Sequence, residues 1–389
     1  MAQDAVPSNK ANSYHANGAA LGAASQGRHD LSSDTGDGSR QAFIAPRLLK
    51  TPNLEHNPDS YEDLKDLEYP SAMYSAMERH LPPEFLSASR NNKLAVLQQV
   101  LARYRPNGER ARIQKHREYR ERIRGCYKPF HTELYTLDPE RFFVQSFRDA
   151  IKDGTLEGFK RIMKEPSPGL YTFDMLQPSI CAKLLEEVEY FERWAVECSI
   201  KIMRPNTMNK YGAVLDDIGM EGMLDQLMSK FLSPMASKLF NEVGGASLDS
   251  HHGFVVEYSM DRDLELGFHV DDSEVTLNVC LGKEFTGGDL FFRGVRCDKH
   301  VNGEVHPEEI FEYPHVPGRA ILHAGRHRHG AKAITSGQRT NLILWCRSSV
   351  FRELKKYQSE FSGWCGECHA RKKDRRRHLS ADPKRSVAN

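Results

Sequence analysis

The pattern of apolar and polar positions divides the chain into a polar start, a helical stretch and a run of short strands. Residues 1–40 hold almost no large apolar side chains, so they cannot bury enough surface to offset the entropy of ordering. We therefore expect a disordered tail there. Residues 41–175 are predicted to be mainly helical, because apolar positions such as Leu94, Leu97 and Leu101 recur at helical spacing.

Two amphipathic helices are predicted next, over about 178–200 and 220–242, each with one apolar face. After Gly244-Gly245 the period becomes strand-like, and a final helix is predicted at about 350–361. The expected strands are about 252–259, 266–271, 275–281, 288–294, 308–314, 319–324, 328–333 and 339–346. Many short strands separated by glycine and proline predict a sandwich or barrel, and with the helices an α+β fold.

Composition limits the classes of protein that fit. A length of 389 residues allows two or three domains, and 39% hydrophobic with 28% charged residues is typical of a globular protein. The net charge of +1 gives no global attraction to nucleic acid or membranes. No apolar run is long enough for a transmembrane helix, and the N-terminus lacks the apolar segment of a secretory signal. Without a signal, the eight cysteines favour reduced thiols, so we expect an intracellular protein of the cytoplasm or nucleus.

The first chemical signal is the pair His269 and Asp271 in the segment 267–272. Side chains two positions apart on a strand point to the same face, so these two groups converge. A second histidine would complete a facial triad of two histidines and one carboxylate, which suits non-haem Fe(II) and leaves positions open. We favour His329 as the distal ligand. The competing histidines are His315, His323 and, as the nearest alternative, His327.

An arginine follows the distal histidine, at Arg339 in Gly337-Gln338-Arg339. The ordered set of His269, Asp271, His329 and Arg339 resembles the 2-oxoglutarate- and Fe(II)-dependent oxygenases. More narrowly it is similar to their prolyl 4-hydroxylase-like branch, and most of all to the "2-oxoglutarate and iron-dependent oxygenase domain-containing" proteins of plants and animals. The motif-bearing part covers about 206–347, and likeness to the last group extends to residues 206–212 and to the tail around 364–368.

The resemblance implies a fold and a division of the chain. Residues 176–350 are expected to form a double-stranded β-helix, a jelly-roll of two packed sheets with buttressing helices. The helical region at 41–175 would precede it. Residues 351–389 would add a C-terminal helix, a Cys-x-x-Cys segment and a basic tail.

The resemblance also implies roles for individual residues. His269, Asp271 and His329 would be the catalytic iron ligands, and His329 is preferred over His327 because the family places its basic anchor about ten residues after the distal histidine. Arg339 would bind the far carboxylate of 2-oxoglutarate, which its planar guanidinium matches in shape and charge. Tyr258 would form a hydrogen bond with the same co-substrate. Two residues of the next strand are further candidates for the pocket wall, namely Thr276 and Asn278.

The implied reaction couples substrate hydroxylation to the conversion of 2-oxoglutarate into succinate and CO2, with L-ascorbate as an implied additional cofactor. Hydroxylation of a protein side chain, prolyl in preference to lysyl, is the first hypothesis for the substrate. Oxidative demethylation of nucleic acid is the second hypothesis. Three features motivate it: the spacing of Glu274 after His269 and Asp271, the pair Arg339 and Asn341, and the basic segments. That group usually places another arginine six residues after the first, where this chain has Trp345. A non-catalytic, metal-binding jelly-roll is the third hypothesis.

Two further features bear on ligands and partners. Cys365 and Cys368 form half a zinc site, which Cys297 and His300 could complete, although unliganded thiols are slightly favoured. The basic segments at 109–128 and 371–377 fit either a phosphate-binding surface or a solvated face. For 109–128 the solvated face is favoured. The sequence specifies neither the substrate nor the oligomeric state, and no membrane association is expected.

Overall fold

A computed structural model of the chain describes residues 46–357, except 50, 65–66, 68, 70, 103–108 and 297–301. The predictions for residues 1–40, for the four residues of the zinc hypothesis and for the basic tail at 371–377 lie outside the described residues and stay predictions. None of the described helices combines the length and the apolar content needed to cross a bilayer.

The described residues form helices and antiparallel strands in a mixed order along the chain. The helices are α1 (Ser71–Glu78), α2 (Pro83–Leu86), α3 (Arg90–Ala102), α4 (Glu109–Cys126), α5 (Pro139–Phe142), α6 (Gln145–Asp153), α7 (Leu156–Ile162), α8 (Pro178–Glu197), α9 (Glu221–Gln226), α10 (Ser233–Leu239) and α11 (Ser349–Tyr357). The strands are β1 (Lys164–Ser167), β2 (Leu170–Asp174), β3 (Gly212–Val214), β4 (Ser250–Ser259), β5 (Leu266–His269), β6 (Val275–Gly282), β7 (Phe285–Gly287), β8 (Leu290–Val295), β9 (Ile310–Tyr313), β10 (Arg319–Ala324), β11 (His327–Ala331) and β12 (Ile334–Arg347).

The strands form two sheets between which the chain alternates. The larger sheet has the order β1-β2-β10-β6-β12-β4-β3, with β7 paired to β12, and the smaller has the order β5-β11-β8-β9. From β4 onward the chain passes from one sheet to the other repeatedly, which is the winding of a double-stranded β-helix. The fold is therefore the predicted α+β jelly-roll, and each of the eight strands expected after Gly245 overlaps an observed strand.

Strand β6 shows how the helices support the sheet that carries the site. All eight of its residues are buried. Val275, Leu277 and Val279 belong to the same apolar core as the buried face of α8. Thr276 and Asn278 alternate with them and line a cavity on the other side of the sheet. Both faces of the strand are buried, and the alternation separates the apolar positions of the core from the polar positions of the cavity.

The apolar face of α8 follows directly from its sequence. Ile180, Leu184, Val188 and Phe191 recur at helical spacing and are almost completely buried. The helix begins at Pro178, a residue well suited to a first turn because its missing N–H has no partner there. The long helix predicted over 178–200 is thus confirmed.

The second predicted helix, over 220–242, is interrupted. It consists of α9, a π-helical segment at Leu227–Leu232 and α10. Four short strands were also missed, namely β1, β2, β3 and β7. Strands β1 and β2 lie inside the region predicted to be mainly helical, and β2 pairs with β10. A strand of three to five residues offers few positions in which an alternating pattern can be recognised.

Helix α4, which carries much of the basic segment at 109–128, is anchored by some of its own charges. Nε of Arg120 donates to Oδ1 of Asp217 at 2.7 Å, and Nη2 of Arg124 donates to Oε2 of Glu221 at 2.7 Å. Arg117 and Arg122 are exposed. One part of this basic helix therefore docks onto an acidic turn of the same chain, and Arg117 and Arg122 lie on a solvated face, as favoured from the sequence.

Candidate active site

His269, Asp271 and His329 come together where β5 pairs with β11. His269 and His329 are directly opposite in the antiparallel register, with ring centroids 4.3 Å apart. Nε2 of His269 lies 3.4 Å from Oδ1 of Asp271, and Nε2 of His329 lies 3.7 Å from Oδ2. One ligand atom from each residue lies within 4.8 Å of the other two. The structure thus brings together the three residues that the sequence singled out.

Backbone carbonyls orient both imidazoles. Nδ1 of His269 lies 2.8 Å from the carbonyl oxygen of Gly267, and Nδ1 of His329 lies 2.8 Å from that of His327. A carbonyl only accepts, so each Nδ1 carries a hydrogen and each Nε2 faces the cluster. This is the arrangement that metal-binding histidines require of their outer partners.

The carboxylate is oriented by its own partner. Oγ1 of Thr276, on β6, donates to Oδ2 of Asp271 at 2.7 Å. Burial opposes ionisation of Asp271, but the imidazoles of His329 and His269 outweigh it, and its pKa lies below the usual range. Burial lowers the pKa of His329 to about 3, so this ring is neutral near pH 7. An ionised carboxylate beside a neutral imidazole is the protonation state in which these groups bind a metal.

The geometry fits a divalent ion. Two ligand atoms bound at right angles to one ion at about 2.1 Å lie ~3 Å apart. The measured separations of 3.4 and 3.7 Å are slightly longer, and a small inward movement of the side chains would close them. The mixed nitrogen and oxygen donors on one face match the facial triad preferred by non-haem Fe(II).

The competing histidines lie outside this cluster. The His327 ring packs against Phe292 with centroids 5.2 Å apart. Nδ1 of His323 lies 2.9 Å from the carbonyl oxygen of Ala324. His315 lies beside Asn341, with Nε2 at 3.3 Å from the amide nitrogen. Among the described residues, His329 is the distal histidine that shares the cluster with His269 and Asp271.

Arg339 is a buried cation near the cluster. Its side chain is 1% exposed, and its guanidinium lies 4.3 Å from the ring centroid of Tyr258, its cross-strand neighbour on β4. It donates to the carbonyl oxygen of Gly288 and has no carboxylate partner among the described residues. Burial lowers the pKa of Arg339, although a guanidinium remains charged near pH 7. Because an unpaired buried charge is costly, this arginine indicates an anionic ligand.

Two adjoining cavities define the space around these groups. The inner cavity is lined by His269, Asp271, His329, Arg339 and Tyr258, and by the two residues of β6 suggested from the sequence, Thr276 and Asn278. The outer cavity has a volume of about 750 Å³. Five residues line both, namely Asn206, Asn209, Leu266, His269 and Trp345. The inner cavity suits a small anion beside the cluster, and the outer one suits a larger substrate.

Sequence reasoning did not assign several of these wall residues a place in the pocket. Asn206 and Asn209 lie in the segment 206–212, which stood out by resemblance alone, and nothing in the pattern of that segment points to a cavity. The place of Asn341 and Trp345 on the cavity wall could have been predicted, because they lie two and six positions after Arg339 on β12. Residues at even spacing on a strand share a face, so that spacing was the available signal.

Comparison with known proteins agrees with the site. The OGFOD2-like domain model matches residues 123–245. The chain is 55% identical over 351 residues to the 2-oxoglutarate and iron-dependent oxygenase domain-containing protein CP2 of Arabidopsis thaliana, covering 90% of this chain and 89% of that protein. It is 36% identical over 269 residues to the 2-oxoglutarate and iron-dependent oxygenase domain-containing protein 2 of Homo sapiens, covering 67% of this chain and 72% of that protein. The chain belongs to the family of 2-oxoglutarate and iron-dependent oxygenase domain-containing proteins.

More distant matches cover less of the chain. The multifunctional procollagen lysine hydroxylase and glycosyltransferase LH3 of Rattus norvegicus is 29% identical over 189 residues, covering 47% of this chain and 24% of that protein. Among solved structures, a prolyl 4-hydroxylase from Phytophthora capsici is 14% identical, covering 58% of this chain and 74% of that one, with a TM-score of 0.37. The family assignment rests on the sequence relatives, and the site on this chain's own geometry.

His252, on the wall of the outer cavity, makes stability sensitive to acid. Nε2 of His252 donates to the carbonyl oxygen of Pro205 at 2.9 Å, and its pKa is lowered to about 4, chiefly by burial. An unfolded histidine titrates near 6.5, so between these values the unfolded chain binds more protons and stability falls as pH falls. The contribution lost between pH 7 and pH 5 is about 2 kcal/mol.

We therefore expect the His252→Gln variant to lose less stability than wild type when the pH is lowered from 7 to 5. Glutamine keeps an N–H donor for Pro205 and removes the titrating group. Urea denaturation of both proteins at the two pH values measures the difference. Equal acid sensitivity of the two proteins would mean that His252 does not contribute to the loss.

Proposed function

We propose that the protein is an Fe(II)- and 2-oxoglutarate-dependent dioxygenase that hydroxylates a side chain of a protein substrate, prolyl in the first instance. 2-Oxoglutarate is converted to succinate and CO2 in the same reaction. One observation carries the proposal: the three-residue cluster lines the same cavity as Arg339, which is buried and has no carboxylate partner in the part of the chain that the structure describes. A metal-binding site and an anion-binding site in one pocket match a co-substrate that is both a chelator and a dianion.

Each residue has a distinct role in this proposal. His269, Asp271 and His329 would hold the iron, which when bound supplies the redox chemistry that couples co-substrate decarboxylation to C–H oxidation. Arg339 binds the far carboxylate and fixes how deeply the co-substrate enters. Thr276 keeps the Asp271 carboxylate turned toward the two imidazoles. Apolar wall residues of β4 and β12, such as Val256 and Ile343, exclude water from the inner cavity.

A protein substrate is supported by the outer cavity. At about 750 Å³ it adjoins the cluster at His269, and its wall includes the apolar side chains of Met203, Met208 and Leu266. The rat protein with partial similarity is named for hydroxylation of procollagen lysine, which is a side chain of a protein. Lysyl hydroxylation is therefore the direct competitor of prolyl hydroxylation. Two arginines of the basic helix, Arg120 and Arg124, are engaged with carboxylates, which weakens the motive for a nucleic-acid substrate.

The first test is anaerobic titration of metal-free protein with Fe(II) and then 2-oxoglutarate. Chelation of iron by a 2-oxo acid produces a visible charge-transfer band, so we expect a band in wild type that requires both additions. The Asp271→Ala variant lacks the carboxylate ligand of the cluster and is expected to give no charge-transfer band. Absence of the band in well-folded wild type would overturn the proposal.

Substrate class needs a second experiment. Protein with Fe(II), 2-oxoglutarate and L-ascorbate is incubated under heavy oxygen gas with a peptide mixture, and products are analysed by mass spectrometry. Heavy oxygen on proline is the expected outcome, with the Asp271→Ala variant as the control. Labelling confined to lysine would replace prolyl by lysyl, and labelling of an added oligonucleotide but of no peptide would overturn the protein-substrate proposal. Omitting ascorbate tests the ascorbate requirement, which stays a prediction.

A further inference from the structure

A chain of side-chain hydrogen bonds leads from the backbone of the segment 206–211 into the inner cavity. Oδ1 of Asn206 accepts from the backbone nitrogen of Met208 at 2.8 Å and from that of Asn209 at 2.7 Å. Backbone N–H groups only donate, so this end of the Asn206 amide must be the oxygen. The other end is then the amide nitrogen, and it donates to Oδ1 of Asn209 at 2.9 Å.

The orientation of Asn209 follows from the same logic. Its oxygen faces Asn206, so its amide nitrogen faces the hydroxyl of Tyr258 at 3.1 Å and Oδ2 of Asp263 at 3.3 Å. Oδ2 of Asp263 also accepts from the backbone nitrogen of Lys210 at 2.7 Å, so this oxygen is an acceptor and independently requires a nitrogen at this end of Asn209. Asn209 is 1% exposed, and its direction is fixed from both ends.

The orientation of the Asn209 amide determines whether the Tyr258 hydroxyl accepts or donates the hydrogen bond between them. Its oxygen accepts from Asn209 and lies beside the guanidinium of Arg339, which also has only N–H groups to offer. Burial raises the pKa of Tyr258, so the hydroxyl keeps its hydrogen. No described residue accepts that hydrogen. Tyr258 lines the inner cavity, where a carboxylate bound to Arg339 would supply the missing acceptor.

We infer that Asn209, oriented by Asn206, is a positioning residue that holds the Tyr258 hydroxyl as a hydrogen-bond donor to the carboxylate bound by Arg339. The inference rests on the proposed function, because the ligand it serves is 2-oxoglutarate. It gives the segment 206–211 a part in co-substrate recognition that its sequence pattern does not reveal. Asn209 acts through Tyr258 and is not itself a catalytic residue.

The inference predicts that Asn209 and Tyr258 are energetically coupled. We expect Asn209→Ala and Tyr258→Phe each to raise the dissociation constant of 2-oxoglutarate by about fivefold to tenfold, the usual effect of one lost hydrogen bond. Because both changes remove the same bond, the double variant should bind as Tyr258→Phe does. Anaerobic titration of the Fe(II)-loaded proteins gives the four dissociation constants. Lys210→Ala, an exposed neighbour on the same segment, is the matched control and should bind as wild type.

A second ligand separates positioning from general damage. Pyruvate is a 2-oxo acid without the far carboxylate, so the loss caused by Asn209→Ala should disappear when pyruvate replaces 2-oxoglutarate. If Asn209→Ala does not fold, Asn206→Ala frees the Asn209 amide to turn and is expected to weaken 2-oxoglutarate binding through the same hydroxyl.

The two proposals fail in different ways. Equal effects of Asn209→Ala in the tyrosine and phenylalanine backgrounds, or equal losses for both ligands, would overturn the inference while wild type still binds 2-oxoglutarate. No binding of 2-oxoglutarate by wild type would overturn the proposed function itself.

Discussion

Replacement of His329 by alanine is expected to abolish the charge-transfer band and to lower turnover of 2-oxoglutarate by more than about a hundredfold. Loss of an outer partner of a metal ligand already costs about 10- to 100-fold, so loss of the ligand itself must cost more. His329 supplies one of three ligand atoms in the cluster, and Nε2 is turned inward by the hydrogen bond from Nδ1 to His327. The remaining pair, His269 and Asp271, would hold iron too weakly to assemble the chelate.

His327 provides the matched control, because it is two residues away on β11, is also buried and was the nearest alternative ligand. Its ring packs against Phe292 and lies outside the cluster. The His327→Leu variant keeps the backbone carbonyl that orients His329, so we expect the band to persist. Iron content of both variants after reconstitution checks the result. A band that survives in His329→Ala but is lost in His327→Leu would reverse the assignment of the distal ligand.

Replacement of Arg339 by methionine is expected to have two effects of opposite sign. Affinity for 2-oxoglutarate should fall about 10- to 100-fold, because a charge-assisted hydrogen bond to a carboxylate contributes about 1.5–3 kcal/mol. The free energy of unfolding of the protein without co-substrate should rise by about 1 kcal/mol, since a buried cation that has no carboxylate partner among the described residues is replaced by an apolar side chain of similar length. Anaerobic titration measures the first effect, and thermal unfolding of metal-free protein measures the second.

Arg339→Lys separates charge from shape at the same position. Lysine keeps a positive charge but lacks the planar fork, so we expect intermediate affinity and no gain in stability. Iron binding should be retained in both variants, because Arg339 contributes no ligand atom to the cluster. A methionine variant that binds 2-oxoglutarate as tightly as wild type would show that another group holds the far carboxylate.

The site was accessible from sequence where its residues are close together or repeat at strand spacing. His269 and Asp271 are two positions apart, so a local pattern was sufficient to pick them out. His329 and Arg339 were picked out through the family resemblance, which implies a basic residue about ten positions after the distal histidine. The eight strands predicted after Gly245 were accessible from local patterns as well, because alternation and glycine or proline boundaries are local properties. Their pairing then placed the two histidines side by side.

The rest depended on contacts between distant parts of the chain. Strand β2 becomes a strand by pairing with β10, which lies about 150 residues later. Asn209 acquires its partners Tyr258 and Asp263 only when the segment 206–211 crosses the end of β4. Neither the periodicity nor the composition of the sequence indicates that such distant residues are in contact. The zinc hypothesis at Cys297, His300, Cys365 and Cys368 stays a prediction.

The burial of both faces of β6 has a consequence for how this protein can evolve. Val275, Leu277 and Val279 pack with the helices, while Thr276 and Asn278 line the cavity. A substitution on the helix side changes the packing of the core and so the free energy of unfolding. A substitution on the cavity side changes which ligand fits. The stability of the fold and its ligand preference can therefore evolve separately, because the residues that control them alternate along one strand.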